Sequence, residues 1–177
     1  FFPKGKSNIL INLGLGLTNE QGGSLKVVSS TEIEGIRHVG SFCYYKAEES
    51  YPLYFVAKFS KPSNEFGIWE NSAKQKGVES HWMPYNGKTR LYKNYRKEII
   101  GDSIGAYMRY DFKEPTSVEV KIAVSYVSIE NARENLKKET EGLSFEEVFK
   151  KTSTKWNDLL SKINVEGGTE DDKTMFY

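Results

Sequence analysis

The sequence predicts a mainly β protein, an antiparallel β-sandwich followed by two to three C-terminal α-helices. Three observations carry that expectation. Through the first 127 residues, short runs of β-forming residues are broken by Gly, Pro, Asn and Ser at irregular spacing. Aromatic residues make up 14% of the chain, with 11 Tyr and 10 Phe, a composition that suits pleated, half-buried surfaces. After Val127 the apolar period changes from two residues to 3.6, the signature of a switch from strand to helix.

Taken in order, "FFPKGKSNILINLGLGL" opens like a chain entering a strand, and its glycines read as turn glycines. "GKS" lacks the earlier glycine of a phosphate loop, and it precedes its strand instead of following it. In "GLGLTN", Asn19 stands where a dinucleotide fingerprint needs its third glycine. The next stretch, "EIEGIRHVGSFCYY", gathers Glu32, Glu34, Arg37, His38 and Cys43 between glycines and aromatics. An acid, a cation, an imidazole and a thiol could converge there, although strand alternation by itself places Glu32 and Glu34 on a solvated sheet face. Arg37, His38, Phe42 and Cys43 are therefore candidate carbohydrate-contacting or domain-interface residues, with a structural role as the competing expectation.

"YPLYFVAKFS" carries apolar residues on both faces through Val56 and predicts an inner strand, with Pro52 at its mouth because proline lacks the ladder donor. Gly67 to Lys88 reads as an excursion of two short strands with exposed hairpin loops, marked by "NSAKQKG" and "YNGK". Trp69 within it is expected in the strand core. His81 and Trp82, in "ESHWMPYNG", are candidates for stacking on a sugar face, weighed against simple packing of the hairpin. From Ser117 to Val127, Val118, Val120, Ile122, Val124 and Tyr126 alternate with Glu119, Lys121, Ala123 and Ser125, predicting one buried and one wet face.

Ser128 can cap "IENARENLKKE", a mostly polar helix with Glu134 and Lys138 at i,i+4 spacing, and Gly142 ends the turn behind it. Ser144 and Glu147 form a capping box for a second helix, roughly Phe145 to Lys162. Its stripe of Phe145, Val148, Phe149, Trp156, Leu159, Leu160 and Ile163 calls for a partner surface, with Trp156 in a core. In "VEGGTEDDKTMFY", Thr169 and Asp172 write a third helix start, yet only eight residues follow Thr169. A helix that short is marginal alone, so this end, like the N-terminus, reads as a cut edge.

Composition excludes several classes. With 25 Lys and Arg against 24 Asp and Glu, no global field recruits nucleic acid or an anionic membrane. The single Cys43 excludes an internal disulfide, and with His38 and His81 it makes too small a set for a zinc cluster. No apolar run approaches the roughly 20 residues of a helical membrane span. A self-contained glycosidase would need two carboxylates about 5–5.5 Å or 6.5–9.5 Å apart, and no pair is nominated by pattern.

"FFPKGKSNILINLG", "EIEGIRHVGSFC", "YPLYFVAKFSKP" and above all "KWNDLLSKINVEGGTEDDKTMFY" resemble the N-terminal domain of glycoside hydrolase family 92, calcium-dependent exo-acting α-mannosidases. The similarity runs over essentially the whole chain. It implies part of a supersandwich-like β-domain at 1–127 and a helical linker at 128–177 leading to an (α/α)6 catalytic domain. It also implies that the catalytic carboxylates and calcium ligands lie in that domain, so no catalytic or metal residue is carried over to this chain. The intact enzyme would act on mannose-containing glycans by inversion, in the periplasm, at the outer membrane or secreted. An incomplete sandwich would expose an edge open to self-association. The rival expectation is a stand-alone sandwich that binds carbohydrate or protein without catalysis.

Overall fold

The structure is a computed structural model, and it describes residues 1–13, 20–40, 50–71, 89–93 and 96–176. Among the described residues, nine strands and three helices follow in chain order: β1 (Gly5–Asn12), β2 (Glu20–Ser29), β3 (Glu32–Val39), β4 (Tyr51–Phe59), β5 (Glu65–Asn71), β6 (Thr89–Lys93), β7 (Glu98–Gly101), β8 (Ile104–Phe112), β9 (Val120–Ser125), α1 (Ile129–Thr140), α2 (Phe145–Leu160) and α3 (Glu170–Phe176). The strands form a four-stranded sheet, β1-β8-β5-β6, and a five-stranded sheet, β7-β2-β3-β4-β9. All the strand pairs are antiparallel. This is the antiparallel sandwich with C-terminal helices that the sequence predicts.

The core lies between the sheets. Leu25, Val27, Ile33, Ala57 and Phe59 come from the five-stranded sheet, and Ile68, Ile104, Ala106, Met108 and Tyr110 from the other. Their spacing of two along each strand is what brings every second side chain inward. Burial pushes the Tyr110 phenol up to about 12, and its hydroxyl donates to the Lys61 carbonyl at 3.4 Å. The β2–β3 turn is held locally, with the Thr31 amide donating to Ser29 Oγ at 3.1 Å.

β4 is the inner strand its sequence predicts, lying between β3 and β9, with Pro52 as its second residue. Both faces are apolar because both are covered. Phe55, Ala57 and Phe59 face the core, while fully buried Val56 packs under Ala132 and Leu136 of α1. Of the expected excursion, β5 and β6 pair through Trp69 and Leu91, and the 72–88 connection lies outside the described residues.

β9 reverses the expected sidedness. Val120, Ile122 and Val124, the apolar set, are 39%, 61% and 48% exposed. Ala123, on the other side, packs beneath α1. β9 is an edge strand, and the four-stranded sheet sets β5 and β8 against β2 and β7 toward the opposite edge, leaving the core-ward side of β9 open. Asn135 of α1 donates from Nδ2 to the Val124 carbonyl at 3.0 Å, occupying one acceptor of the β9 backbone.

Two compact units are formed, Phe1–Glu139 and Thr140–Tyr177. In the first, Ser128 caps α1 as its sequence predicts, with its Oγ accepting from the Asn131 amide at 3.1 Å. Glu134 and Lys138 pair across one turn at 2.7 Å, which lowers the Glu134 carboxyl, first through the Lys138 hydrogen bond. In the second unit, α2 begins at the predicted capping box, with the Ser144 amide donating to Glu147 Oε2 at 2.7 Å. Much of its apolar stripe is exposed. Phe145, Phe149 and Trp156 are 63%, 61% and 60% exposed, so the expected core position of Trp156 is corrected. The remaining helix of that unit, α3, has seven residues and buries none of them.

The third helix start is also realised. Gly167 and Gly168 take φ of +82° and +73°, conformations open to glycine at little cost, and turn the chain into it. The Thr169 amide and hydroxyl both donate to Asp172 Oδ2, at 2.8 and 2.7 Å, and Thr169 Oγ1 accepts from the Asp172 amide at 3.2 Å. These bonds, the amide's foremost, lower the Asp172 carboxyl below its ordinary value. A lowered carboxyl supports the fold above its unfolded value and loses that support as pH falls through the lowered one. The α3 amide signals are therefore expected to stay dispersed on acidification through about 3.9 and to collapse below it. An NMR titration checks this, and a Thr169→Val chain in which Asp172 titrates unchanged would count against it.

Candidate functional site

The sequence-nominated residues on β3 are not brought together. Arg37 and His38 are successive strand residues, so their side chains leave the sheet on opposite faces. Arg37 points coreward and is 7% exposed, and its Nη1 donates to the Asp102 carbonyl in the β7–β8 turn at 3.0 Å. Its charge holds a turn. His38 is exposed on the outer face and lines a hollow of 330 Å³ with Gly22, Gly23, Ser24, Ile36, Ile100, Gly101 and Asp102. Gly22, at φ +75°, makes room for the carboxylate, since a Cβ there would sit 3.0 Å from Asp102 Oδ1. The hollow offers one imidazole and one carboxylate between two isoleucine walls, a set able to hydrogen-bond and partly desolvate a small polar ligand. One carboxylate is too few for glycoside hydrolysis. Phe42, Cys43, His81 and Trp82 lie outside the described residues.

Asp102 carried no signal in the sequence, being a lone acid in "GDSIG". In a second constellation the unmarked member is Arg133. Glu32 and Glu34 do lie on the outer face of β3, but α1 returns over that face and inserts Arg133 between them. Arg133 Nη2 donates to Glu34 Oε2 at 2.7 Å and to Glu32 Oε1, and Lys58 Nζ stands 3.6 Å from Glu32 Oε2. The bond to Glu34, then those to Glu32, outweigh burial and raise the Arg133 guanidinium above its ordinary value. Both carboxylates are only 15% exposed. Here both carboxylates are engaged by the same guanidinium, which ties β3 to α1.

The outer face of the four-stranded sheet carries a third group. Trp69 lies against Gly105 and Tyr107 against Gly67. A Cβ at Gly105 would come within 2.2 Å of the indole, and one at Gly67 within 2.6 Å of the phenol ring. Trp69 is thus a half-buried outer-face residue, not the core residue expected, because its neighbour Ile68 takes the inward position. Beside these rings, Arg109 Nη1 donates to Glu65 at 3.0 Å and Nε to Asn8 at 3.1 Å. Burial first, and then the hydrogen bond to Glu65, raise the Tyr107 phenol.

Among the described residues no group of three or more His, Cys, Asp or Glu is placed to hold a metal ion, and no helix is long and apolar enough to cross a membrane. The described residues thus define an antiparallel β-sandwich followed by helices, with a polar hollow that holds His38 and Asp102.

Its sequence defines the family. Residues 1–125 match the glycosyl hydrolase family 92 N-terminal domain and residues 131–177 the family 92 catalytic domain, and the chain belongs to that family. No curated protein matches. Three solved structures share the fold. The family GH92 inverting mannosidase BT2199 from Bacteroides thetaiotaomicron VPI-5482 is 21% identical, with a TM-score of 0.67 over 93% of this chain and 19% of its own. The family GH92 α-mannosidase BT3965 from Bacteroides thetaiotaomicron is 23% identical, with a TM-score of 0.69 over 94% and 20%. The GH92 family glycosyl hydrolase ccman5 is 21% identical, with a TM-score of 0.68 over 94% and 19%. The chain thus spans about a fifth of the length of these structures.

Proposed function

We propose that these 177 residues are a non-catalytic N-terminal part of an exo-acting α-mannosidase, which removes terminal α-linked mannose from glycans with inversion. The observation that carries this reading is the order of the two matches, family 92 N-terminal domain and then catalytic domain, along one chain. The naming of BT2199 as an inverting mannosidase and BT3965 as an α-mannosidase supports the substrate class. Inversion needs an acid and a base about 6.5–9.5 Å apart with water between them. In this reading both come from an (α/α)6 catalytic domain, the sandwich's principal partner. Residues 1–127 form the sandwich, and 128–177 form the helical link to that domain.

Calcium, implied by the family, is assigned to the catalytic domain, where it would act as a Lewis acid on the sugar. A periplasmic, outer-membrane or secreted location fits a glycan-degrading enzyme. Of the nominated contacts, His38 has the best support, from its place beside Asp102 in the hollow. Phe42, Cys43, His81 and Trp82 remain candidates for sugar or interdomain contact.

The chain alone is expected to release no mannose from an aryl α-mannoside, whereas a protein joining it to a whole catalytic domain releases mannose with inversion, followed by NMR of the anomeric proton. Turnover by the 177 residues that survives controls for contaminating enzyme would overturn the non-catalytic reading. A joined protein that ignores α-mannosides but cleaves another glycoside would overturn the substrate.

A further inference from the structure

We infer that α1 is the seat by which the sandwich holds the catalytic domain in place, with Arg133 as the positioning residue; this rests on the two-domain reading above. By sequence, the catalytic-domain match begins at residue 131, inside α1. By packing, α1 through Glu139 belongs to the sandwich unit. α1 therefore packs on the sandwich at the point where the catalytic-domain match begins.

The contacts explain how it can fix an orientation. Ala132 and Leu136, one turn apart, bury their side chains on Val56 at the middle of β4. An apolar ridge of this kind resists removal but permits sliding and rolling, because dispersion contacts are non-directional. Two polar anchors remove those freedoms. On the β3 side Arg133 bridges Glu32 and Glu34, and on the β9 side Asn135 Nδ2 bonds the Val124 carbonyl at 3.0 Å. The helix straddles β4 and is tied at both flanks. A cation shared by two largely buried carboxylates is a poor source of net stability and a strict geometric constraint. The rotation of α1 on the sandwich is thereby set by named contacts on both flanks.

The test uses both the 177-residue chain and a protein joining it to its catalytic domain. In the chain, Arg133→Met is expected to lower hydrogen-exchange protection of the 132–136 amides at least tenfold, while the Ile68 and Ala106 amides of the sandwich core keep theirs. In the joined protein the same change is expected to lower kcat/KM at least fivefold, with Arg133→Lys recovering part of it. Ile68→Val, a core change that loosens the sandwich without touching α1, leaves kcat/KM unchanged. Cleavage of the joined protein at 140–143 by limited proteolysis is expected to quicken at least fivefold in Arg133→Met. An Arg133→Met enzyme no slower than Ile68→Val, or unchanged proteolysis, would overturn the inference. If the joined protein has no activity on α-mannosides, the functional reading fails on its own, and the proteolysis still decides the seat.

Discussion

Ile68→Asp is expected to abolish cooperative folding of the sandwich. Ile68 is fully buried between the two sheets, opposite Ala106 on β8. An isolated carboxylate there loses its hydration and gains no ion partner. The cost is several kcal/mol even after relaxation, on top of the lost apolar contacts. Single domains hold roughly 5–15 kcal/mol in total. The expected result is loss of near-UV circular dichroism and strong binding of a hydrophobic dye at 25 °C. Trp69→Ala, one residue away on the outer face, is expected to retain a cooperative melt. Two similar melts from these two chains would show that the inward assignment of Ile68 is wrong.

Gly35→Ala is the second large effect. Gly35 lies in β3 between β2 and β4, and a Cβ added to it would come within 2.4 Å of the Ser24 carbonyl oxygen and 2.6 Å of the Phe55 ring. The oxygen is backbone in a paired neighbouring strand and cannot swing aside. Overpacking of this kind costs about 1–3 kcal/mol, and the upper end is expected where a ladder must part. For a unit of this size, about 3 kcal/mol lowers Tm by roughly 10 °C. Gly142→Ala is the comparison, since a Cβ at Gly142 would meet nothing within 4 Å and the cost there is the strain of φ +73° alone. A smaller loss at Gly35 than at Gly142 would refute the steric argument.

Where the chain's own neighbours decide the outcome, the sequence was legible. The capping box of α2, the Ser128 and Thr169 caps and the inner position of β4 all follow from residues within a few positions of one another. Sidedness was another matter. The alternation in β9 was read correctly as period two, but the period does not say which face is covered. In β9 the smaller Ala123 side is covered, because α1 packs there, and the valines face open space. In β5 the larger Trp69 gave up the core to Ile68.

The candidate sites divide in the same way. His38 was nominated from its neighbourhood and does line a hollow, but its companion Asp102 comes from a turn 64 positions on. Glu32 and Glu34 were placed on the right face and given the wrong surroundings, since Arg133 reaches them from about 100 residues away.

By itself, then, the sequence determined the fold class, the helix starts, the strand period and, through its quoted segments, the family. These depend on backbone geometry and side-chain spacing that repeat over two to four residues, or on residues preserved in order. Only the tertiary structure decided which face of each strand is buried, that α1 is clamped to the sandwich, and that the α2 stripe lies open. Those outcomes depend on what returns across a surface from distant parts of the chain, and local periodicity has no knowledge of its cover.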